Sequence, residues 1–342
     1  MAQPPLPQSS SSSSAAVTFA NPLPQSPRSD ILEWRFPAPH HNLTLIGRSR
    51  AAWHTSFIIP QLSLLLDAGL CVNAQRPKHI FLTHGHNDHC LLTPAFVNKN
   101  REKGGEDIYC PVEMAEPLGK FITGSRECNW SGDEEAKKKS DGKAGGYKIL
   151  GVRSGDLVQL GDGQGQGQGQ GATKGGWSAE VVKCDHTIPC VGYVFGVTTR
   201  RLKDEFKGLK GDQIKKLREE EGVEVTAQVR TDVFGFMGDT TTKVFEEEEN
   251  GGGGGPMEAA LERGIKVVIT ECSFLWEEHR AQAEKTKHTI WGDLEKVVRR
   301  WPGTVFVLMH FSMRYTNEDV ARFFKEMEDP PGNIVVWADG EI

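Results

Sequence analysis

Residues 79–89 read His-Ile-Phe-Leu-Thr-His-Gly-His-Asn-Asp-His, so four side chains able to bind a metal, His84, His86, Asp88 and His89, fall within six positions. Imidazole nitrogen and carboxylate oxygen are, beside thiolate, the usual ligands of zinc. A single intervening residue puts His84 and His86 on the same side of an extended chain. Asp88 and His89 are adjacent, so a tight turn must aim them elsewhere. That division suits two neighbouring metals better than one. Two metals roughly 3.5–4 Å apart can clamp the attacking and leaving oxygens of an in-line displacement, and metal binding lowers the pKa of water to about 7. Asp88 could both ligate and accept the proton of that water.

Four ligands do not complete two sites, so other elements must bring the rest. The sequence contains five apolar or β-branched runs that each deliver a His, Asp or Glu at the C-terminal end. Run 78–83 ends at His84 and run 178–183 leads through Cys184 and Asp185 to His186. Runs 233–238, 265–270 and 304–309 end at Asp239, Glu271 and His310. Helical patterns at 256–263 and 293–301 lie between the later runs. Alternating strands and helices predict an α/β protein, and functional groups at strand ends predict a site built on a rigid sheet. The candidate ligands are then His84, His86, Asp88, His89, His186, Asp239 and His310. With three His on one metal and two His plus a carboxylate on the other, Asp239 is left to bridge. His40, His41, His54, His79 and His279 lack such neighbours and read as surface or structural.

Composition bounds the rest. The chain has 342 residues, of which 37% are hydrophobic, with 38 Gly and 18 Pro. Residues 1–30 are Ser/Pro-rich and read as a disordered tail. Gly-rich segments at 161–176 and 246–255, and a charged segment at 133–143, read as surface loops. Strand-like runs resume after each, so 31–342 is expected to form one domain with loop insertions. No apolar run approaches the roughly 18 residues of a membrane span, and no membrane partner is expected. Seven cysteines without a CxxC pair point to a reducing, intracellular compartment. Cytoplasm or nucleus is the expected location. The Ser-rich, acid-poor stretch 8–26 admits organellar import, which is not the favoured reading.

The net charge is −6, so contact with nucleic acid needs a local basic patch. Segment 200–218 supplies one: Arg200, Arg201, Lys203, Lys207, Lys210, Lys215, Lys216 and Arg218, opposed there by Asp204, Glu205 and Asp212. The alternative is a solvated helix face.

Thr83-His84-Gly85-His86-Asn87-Asp88-His89 resembles the THxHxDH signature of the metallo-β-lactamase fold. Later segments resemble tRNase Z in its short, plant and algal form. They are Asp185-His186 followed by Gly192-Tyr193, Gly238-Asp239-Thr240-Thr241, Glu271-Cys272-Ser273-Phe274, His288 at the spacing of a second catalytic histidine, and His310-Phe311-Ser312-Met313-Arg314-Tyr315. The resemblance covers about residues 44–324. It implies a four-layer αβ/βα sandwich with a short basic arm, and an endonuclease that removes the 3′ trailer of precursor tRNA using two Zn²⁺ per chain. Carried over by residue, His84, His86 and His186 bind one zinc, Asp88, His89 and His310 the other, and Asp239 bridges. Asp88 orients or deprotonates the attacking water, and His288 protonates the leaving 3′ oxygen. Glu271 is expected to fix the tautomer of His288. The basic segment takes the place of the tRNA-gripping arm, and Arg314 and Tyr315 are placed to touch the scissile end. The family commonly forms homodimers, so the resemblance admits one here. Two departures stand out: Cys90-Leu91-Leu92-Thr93-Pro94 replaces the usual Gly pair, and Lys287-His288-Thr289-Ile290 lacks the second His or hydroxyl pair of many relatives. The competing readings are another hydrolase of this fold acting on a small ester, thioester or cyclic nucleotide, and a non-catalytic RNA-binding protein that retains the fold.

Overall fold

The computed structural model describes residues 31–71, 76–97, 105–129, 131, 133, 135, 146–160, 176–246 and 256–338. The 1–30 tail, most of the 161–176 and 246–255 insertions and much of 133–143 lie outside the described residues. The first half contributes β1 (Leu32–Arg35), β2 (Thr44–Arg50), β3 (His54–Ile59), β4 (Leu64–Leu66), β5 (His79–Phe81), α1 (Asn87–Cys90), α2 (Thr93–Phe96), β6 (Asp107–Pro111), α3 (Val112–Asn129) and β7 (Lys148–Val152). The second half contributes β8 (Leu157–Leu160), β9 (Gly176–Lys183), β10 (Val191–Leu202), α4 (Gly211–Glu219), β11 (Thr226–Phe236), α5 (Pro256–Glu262), β12 (Val267–Glu271), α6 (Arg280–Thr286), α7 (Trp291–Arg300), β13 (Val305–Met309), α8 (Asn317–Lys325) and β14 (Ile334–Val336).

β1 to β7 form one sheet in chain order, and β8 to β14 form a second. Each begins with three antiparallel pairings and ends with three parallel ones. The central strands are covered on both faces: every residue of β3, β4, β5 and β12 is buried.

Alternation along these strands sorts side chains into three apolar layers. Leu64, Leu66 and Phe81 meet Tyr193, Phe195, Phe234, Val267 and Ile269 in a core between the two sheets. Leu65 and Ile80 point the other way, onto Leu118 and Ile122 of α3 and Phe96 of α2. Val268, Phe306 and Leu308 face Leu261 of α5, Leu294 and Val298 of α7, and Val320 and Phe324 of α8. Helix, sheet, sheet, helix is the four-layer αβ/βα order that the resemblance implies. The outer helices carry the pattern this demands: α7 buries Trp291, Leu294 and Val298, one stripe of a helix. α8 is started by a capping box, in which Thr316 Oγ1 accepts from Asp319 N at 3.1 Å and Thr316 N donates to Asp319 Oδ2 at 2.9 Å. Among the described residues, no helix is long and apolar enough to cross a membrane.

β10 and β11 pair from Tyr193↔Phe236 out to Leu202↔Thr226. Residues 191–197 of β10 are buried and those beyond are half-buried or exposed, so the hairpin runs off the body into solvent. The 203–225 excursion at its end contains α4, which has no fully buried residue.

Candidate metal centre

Every candidate ligand sits at the end of a strand or in the turn after it, on the edge where the two sheets meet. β5 ends two residues before Thr83, and the chain then passes through His84 and His86 into the single helical turn α1, which carries Asp88 and His89. The Gly pair is dispensable for that turn: Ala68 N donates to His89 O at 2.6 Å and Leu92 N to Ala68 O at 2.8 Å, which pins α1 against the end of β4. His186 lies in the β9–β10 turn, Asp239 three residues past β11 and His310 directly after β13.

The groups converge as two clusters around Asp239. In the first, His86 Nδ1 lies 3.0 Å from His84 Nε2 and 3.2 Å from His186 Nε2. Asp239 Oδ2 is 3.7 Å from His84 Nε2 and 3.9 Å from His186 Nε2. In the second, His89 Nε2 and His310 Nε2 are 3.1 Å apart, and Asp88 Oδ2 is 3.6 and 3.4 Å from them. Asp239 Oδ1 faces this pair at 3.3 and 3.5 Å. A tetrahedral zinc with ligands at about 2.0–2.1 Å holds neighbouring ligand atoms roughly 3.3 Å apart. Both clusters have that spacing, and each takes one oxygen of Asp239. That oxygen pair is otherwise costly: Asp239 is buried, and Oδ1 has no hydrogen-bond partner, an arrangement a cation would compensate. The donor set therefore fits divalent metal.

The imidazoles are held in the tautomers that such a centre needs, as the hydrogen-bond network assigns them. Thr83 Oγ1 donates to Asp67 Oδ2 at 2.9 Å, so it accepts from His84 Nδ1 at 3.0 Å. His89 Nδ1 donates to Asp67 Oδ2 at 2.7 Å, and His186 Nδ1 to Lys287 O at 3.2 Å. Ser273 Oγ donates to Glu271 Oε2 at 2.6 Å and accepts from His310 Nδ1 at 3.1 Å. Four histidines thus offer Nε2, and His86 alone offers Nδ1. Burial pushes the His84 and His186 imidazoles below their ordinary pKa, which favours the neutral, ligating form. Burial also opposes charge on His89, but Asp239 and Asp67 outweigh it and hold His89 well above the ordinary range. Four residues of this region sit in the left-handed backbone region, Ala52 (φ 58), Asp67 (φ 56), Lys287 (φ 53) and His310 (φ 63). Such strain in a residue with a Cβ concentrates at functional sites.

His288 stands beside the clusters, half-buried, with Nδ1 2.9 Å from Glu271 Oε1. Glu271 is fully buried and also accepts from Thr240 N (2.7 Å) and Thr289 N (3.1 Å), so the carboxylate is fixed. Burial works against a charged His288, but Glu271 lifts its pKa to about 9. The Lys287-His288-Thr289 variant keeps this geometry: Thr289 Oγ1 donates to Thr240 O at 2.7 Å.

Two expectations change. Tyr315 is 4% exposed; its hydroxyl lies 2.8 Å from His279 Nδ1 and accepts from Leu275 N at 3.3 Å. A phenol used up in the core is not placed to touch substrate. The basic segment is also less one-sided than 200–218 alone implies, because Glu219, Glu220, Glu221 and Glu224 follow it. Arg218 pairs with Glu219 at 3.1 Å, Lys207 with Asp204 at 2.5 Å and Arg200 with Glu224 at 3.9 Å. Arg201 donates to Thr231 Oγ1 at 3.0 Å. Lys210, Lys215 and Lys216 are exposed and Lys203 half-buried. Arg314 remains exposed, donating to Gln282 Oε1 at 2.5 Å with its guanidinium 5.5 Å from the Phe274 ring.

Asp67 was not among the residues read as functional, although Leu64-Leu65-Leu66-Asp67 repeats the apolar-run-plus-acid pattern of the other strands. It serves Thr83 and His89 together. Asp67→Asn keeps the shape but lets the amide NH₂ face His89 Nδ1. Affinity for a divalent metal should fall about 10–100-fold, measured by competition with a chromophoric chelator.

No family model matches the chain. The chloroplastic tRNase Z TRZ2 of Arabidopsis thaliana is 27% identical over 278 residues, covering 80% of this chain and 69% of that protein. The tRNase Z TRZ1 of Arabidopsis thaliana is 25% identical over 300 residues, covering 86% and 92%. Among solved structures, the human short-form tRNase Z is 15% identical with a TM-score of 0.46, covering 85% of this chain and 95% of that one. Along 80–86% of its length this chain is thus similar in sequence to tRNase Z proteins.

Proposed function

We propose that this protein is a zinc-dependent endoribonuclease that removes the 3′ trailer of precursor tRNA, with residues 31–342 as the catalytic unit. The observation that carries the reading is the pair of ligand clusters sharing Asp239, with the Glu271–His288 pair beside them. Bound metal would supply an acidified water and charge neutralisation at the phosphate. His84, His86 and His186 would hold one ion, Asp88, His89 and His310 the second, and Asp239 both. Two zinc ions per chain is the proposed complement.

The remaining chemistry belongs to the side chains. Asp88, whose Oδ2 is held by Ala52 N at 2.9 Å, orients the attacking water and accepts its proton. The new P–O bond forms as the bond to the tRNA 3′ oxygen breaks. His288, with Nδ1 committed to Glu271, gives its Nε2 proton to that leaving oxygen. The products are a 3′ hydroxyl on the tRNA and a 5′ phosphate on the trailer.

The arm is the proposed tRNA grip. Lys215→Glu with Lys216→Glu should raise Kd for precursor tRNA and flatten its salt dependence by up to about two phosphate contacts. Filter binding from 50 to 200 mM salt, roughly the range over which such contacts are lost, measures this. An unchanged slope removes those lysines from the interface. A cytoplasmic or nuclear location fits the free cysteines, and a homodimer is the proposed assembly, read out by mass in solution.

The deciding experiment is a digest of labelled precursor tRNA beside bis(p-nitrophenyl) phosphate, with metal analysis of the same sample. A cut after the discriminator nucleotide supports the reading. Hydrolysis of the small ester alone overturns it.

A further inference from the structure

The turn between β2 and β3 touches the metal centre from a side that none of the ligand motifs includes. Arg50 ends β2 and is 6% exposed. Its Nη1 donates to Asn317 Oδ1 at 3.1 Å, and its Nη2 donates to the carbonyls of Ser312, at 3.0 Å, and of Tyr315. The next residue closes onto the same segment, with Ala51 N donating to Phe311 O at 3.1 Å. Ala52 then turns through a left-handed conformation (φ 58), and its N–H donates to Asp88 Oδ2 at 2.9 Å. Trp53 N donates back to Arg50 O at 3.2 Å and shuts the turn. Three consecutive residues therefore hold the 312–317 loop, the neighbour of His310, and Asp88.

We propose that Arg50 is a positioning residue for one half of the metal centre: it locks the loop after His310 onto the turn that holds Asp88. The inference rests on the metal-binding role proposed above for Asp88, His89 and His310. His310 sits at φ 63, a conformation that a residue with a Cβ keeps only when its surroundings impose it. Arg50 grips the chain on the C-terminal side of that strained residue, and Ala51 grips its immediate neighbour. Released, His310 relaxes toward an ordinary φ, and its Nε2 leaves the position 3.4 Å from Asp88 Oδ2. The loop places its acceptors around a planar fork, which guanidinium satisfies together and an ammonium does not. Among the described residues, the imidazoles of the other cluster, His84, His86 and His186, bond to Thr83, Thr187, the Lys287 carbonyl and one another rather than to this clamp, so the effect should be confined to one ion.

The test uses the full chain loaded with zinc. Arg50→Met and Arg50→Lys are compared with wild type by chelator competition and zinc counted per chain, with circular dichroism as the check of fold. One zinc should stay as tight as in wild type while the other weakens about 10–100-fold, with Lys less affected than Met. Equal weakening of both ions, or none, overturns the proposal. If the Met variant does not fold, the Lys variant, which keeps the charge and part of the bonding, decides on the same criteria. Failure of wild type to bind zinc would overturn the metal centre itself and this inference with it, whereas a normal wild type with unaltered variants overturns the clamp alone.

Discussion

Asp88→Ala should cut precursor tRNA about 10⁴-fold more slowly than wild type, the upper end of what a positioned proton acceptor contributes, and still bind it. Asp88 has two roles that vanish together. Its Oδ2 lies 3.4 Å from His310 Nε2 and 3.6 Å from His89 Nε2, and it is the carboxylate proposed to take the water's proton. Burial opposes its charge, but the histidine pair, His310 above all, holds its pKa well below the usual carboxylate range. The folding cost of the substitution is small, because the freed Ala52 N–H belongs to an exposed residue and can turn to water. Binding should survive because tRNA affinity comes mostly from phosphate contacts, which the proposal assigns to the arm. Single-turnover cleavage of labelled substrate and a gel-shift titration measure the two properties separately. Loss of binding with retained cutting would contradict the assignment.

His288→Ala should slow precursor tRNA cleavage by about 10²–10⁴-fold, the range for a lost proton donor, and spare bis(p-nitrophenyl) phosphate. A ribose 3′ oxygen leaves as a strong base and needs a proton. A nitrophenolate is stabilised by its ring and leaves without one. A merely structural role for His288 would slow both substrates alike, so the ratio of the two rates is the informative quantity. Glu271→Gln should act in the same direction on precursor tRNA, since the carboxylate 2.9 Å away is what keeps His288 protonated and oriented. The Gln variant carries a larger folding cost, because Glu271 is buried and accepts three further hydrogen bonds in addition to that from His288: two from backbone amides and one from Ser273. Its melting temperature should therefore be measured alongside the rate.

Residue type and spacing were enough to pick out the candidate ligands that the fold brings together. His84, His86, Asp88 and His89 stood out because metals need those side chains close together. His186, Asp239 and His310 stood out because each follows an apolar run. The same two-residue periodicity that made these runs read as strands sorts Leu64, Leu65 and Leu66 between two different cores. Asp67 shared the strand-plus-acid pattern and could have been found by it. Ser273, the Lys287 carbonyl and the Ala52 amide carried no such signal. A serine, a backbone oxygen and a backbone nitrogen are the same in any sequence, and only folding tells where they point.

The sequence by itself determined the candidate ligand set, the α/β class and the family likeness, because these depend on chemical type and local period. Tertiary structure alone decided which nitrogen each histidine presents, because that is set by whatever faces the other ring nitrogen, which for His186 is the carbonyl of Lys287, 101 residues away. It also withdrew Tyr315 from the site, since the residue after Arg314 turns into the core beneath α8. Finally, it brought Arg50, from a strand with no motif, onto the loop behind His310. Contacts between distant segments are fixed by the packing of the two sheets, and spacing along the chain does not encode them.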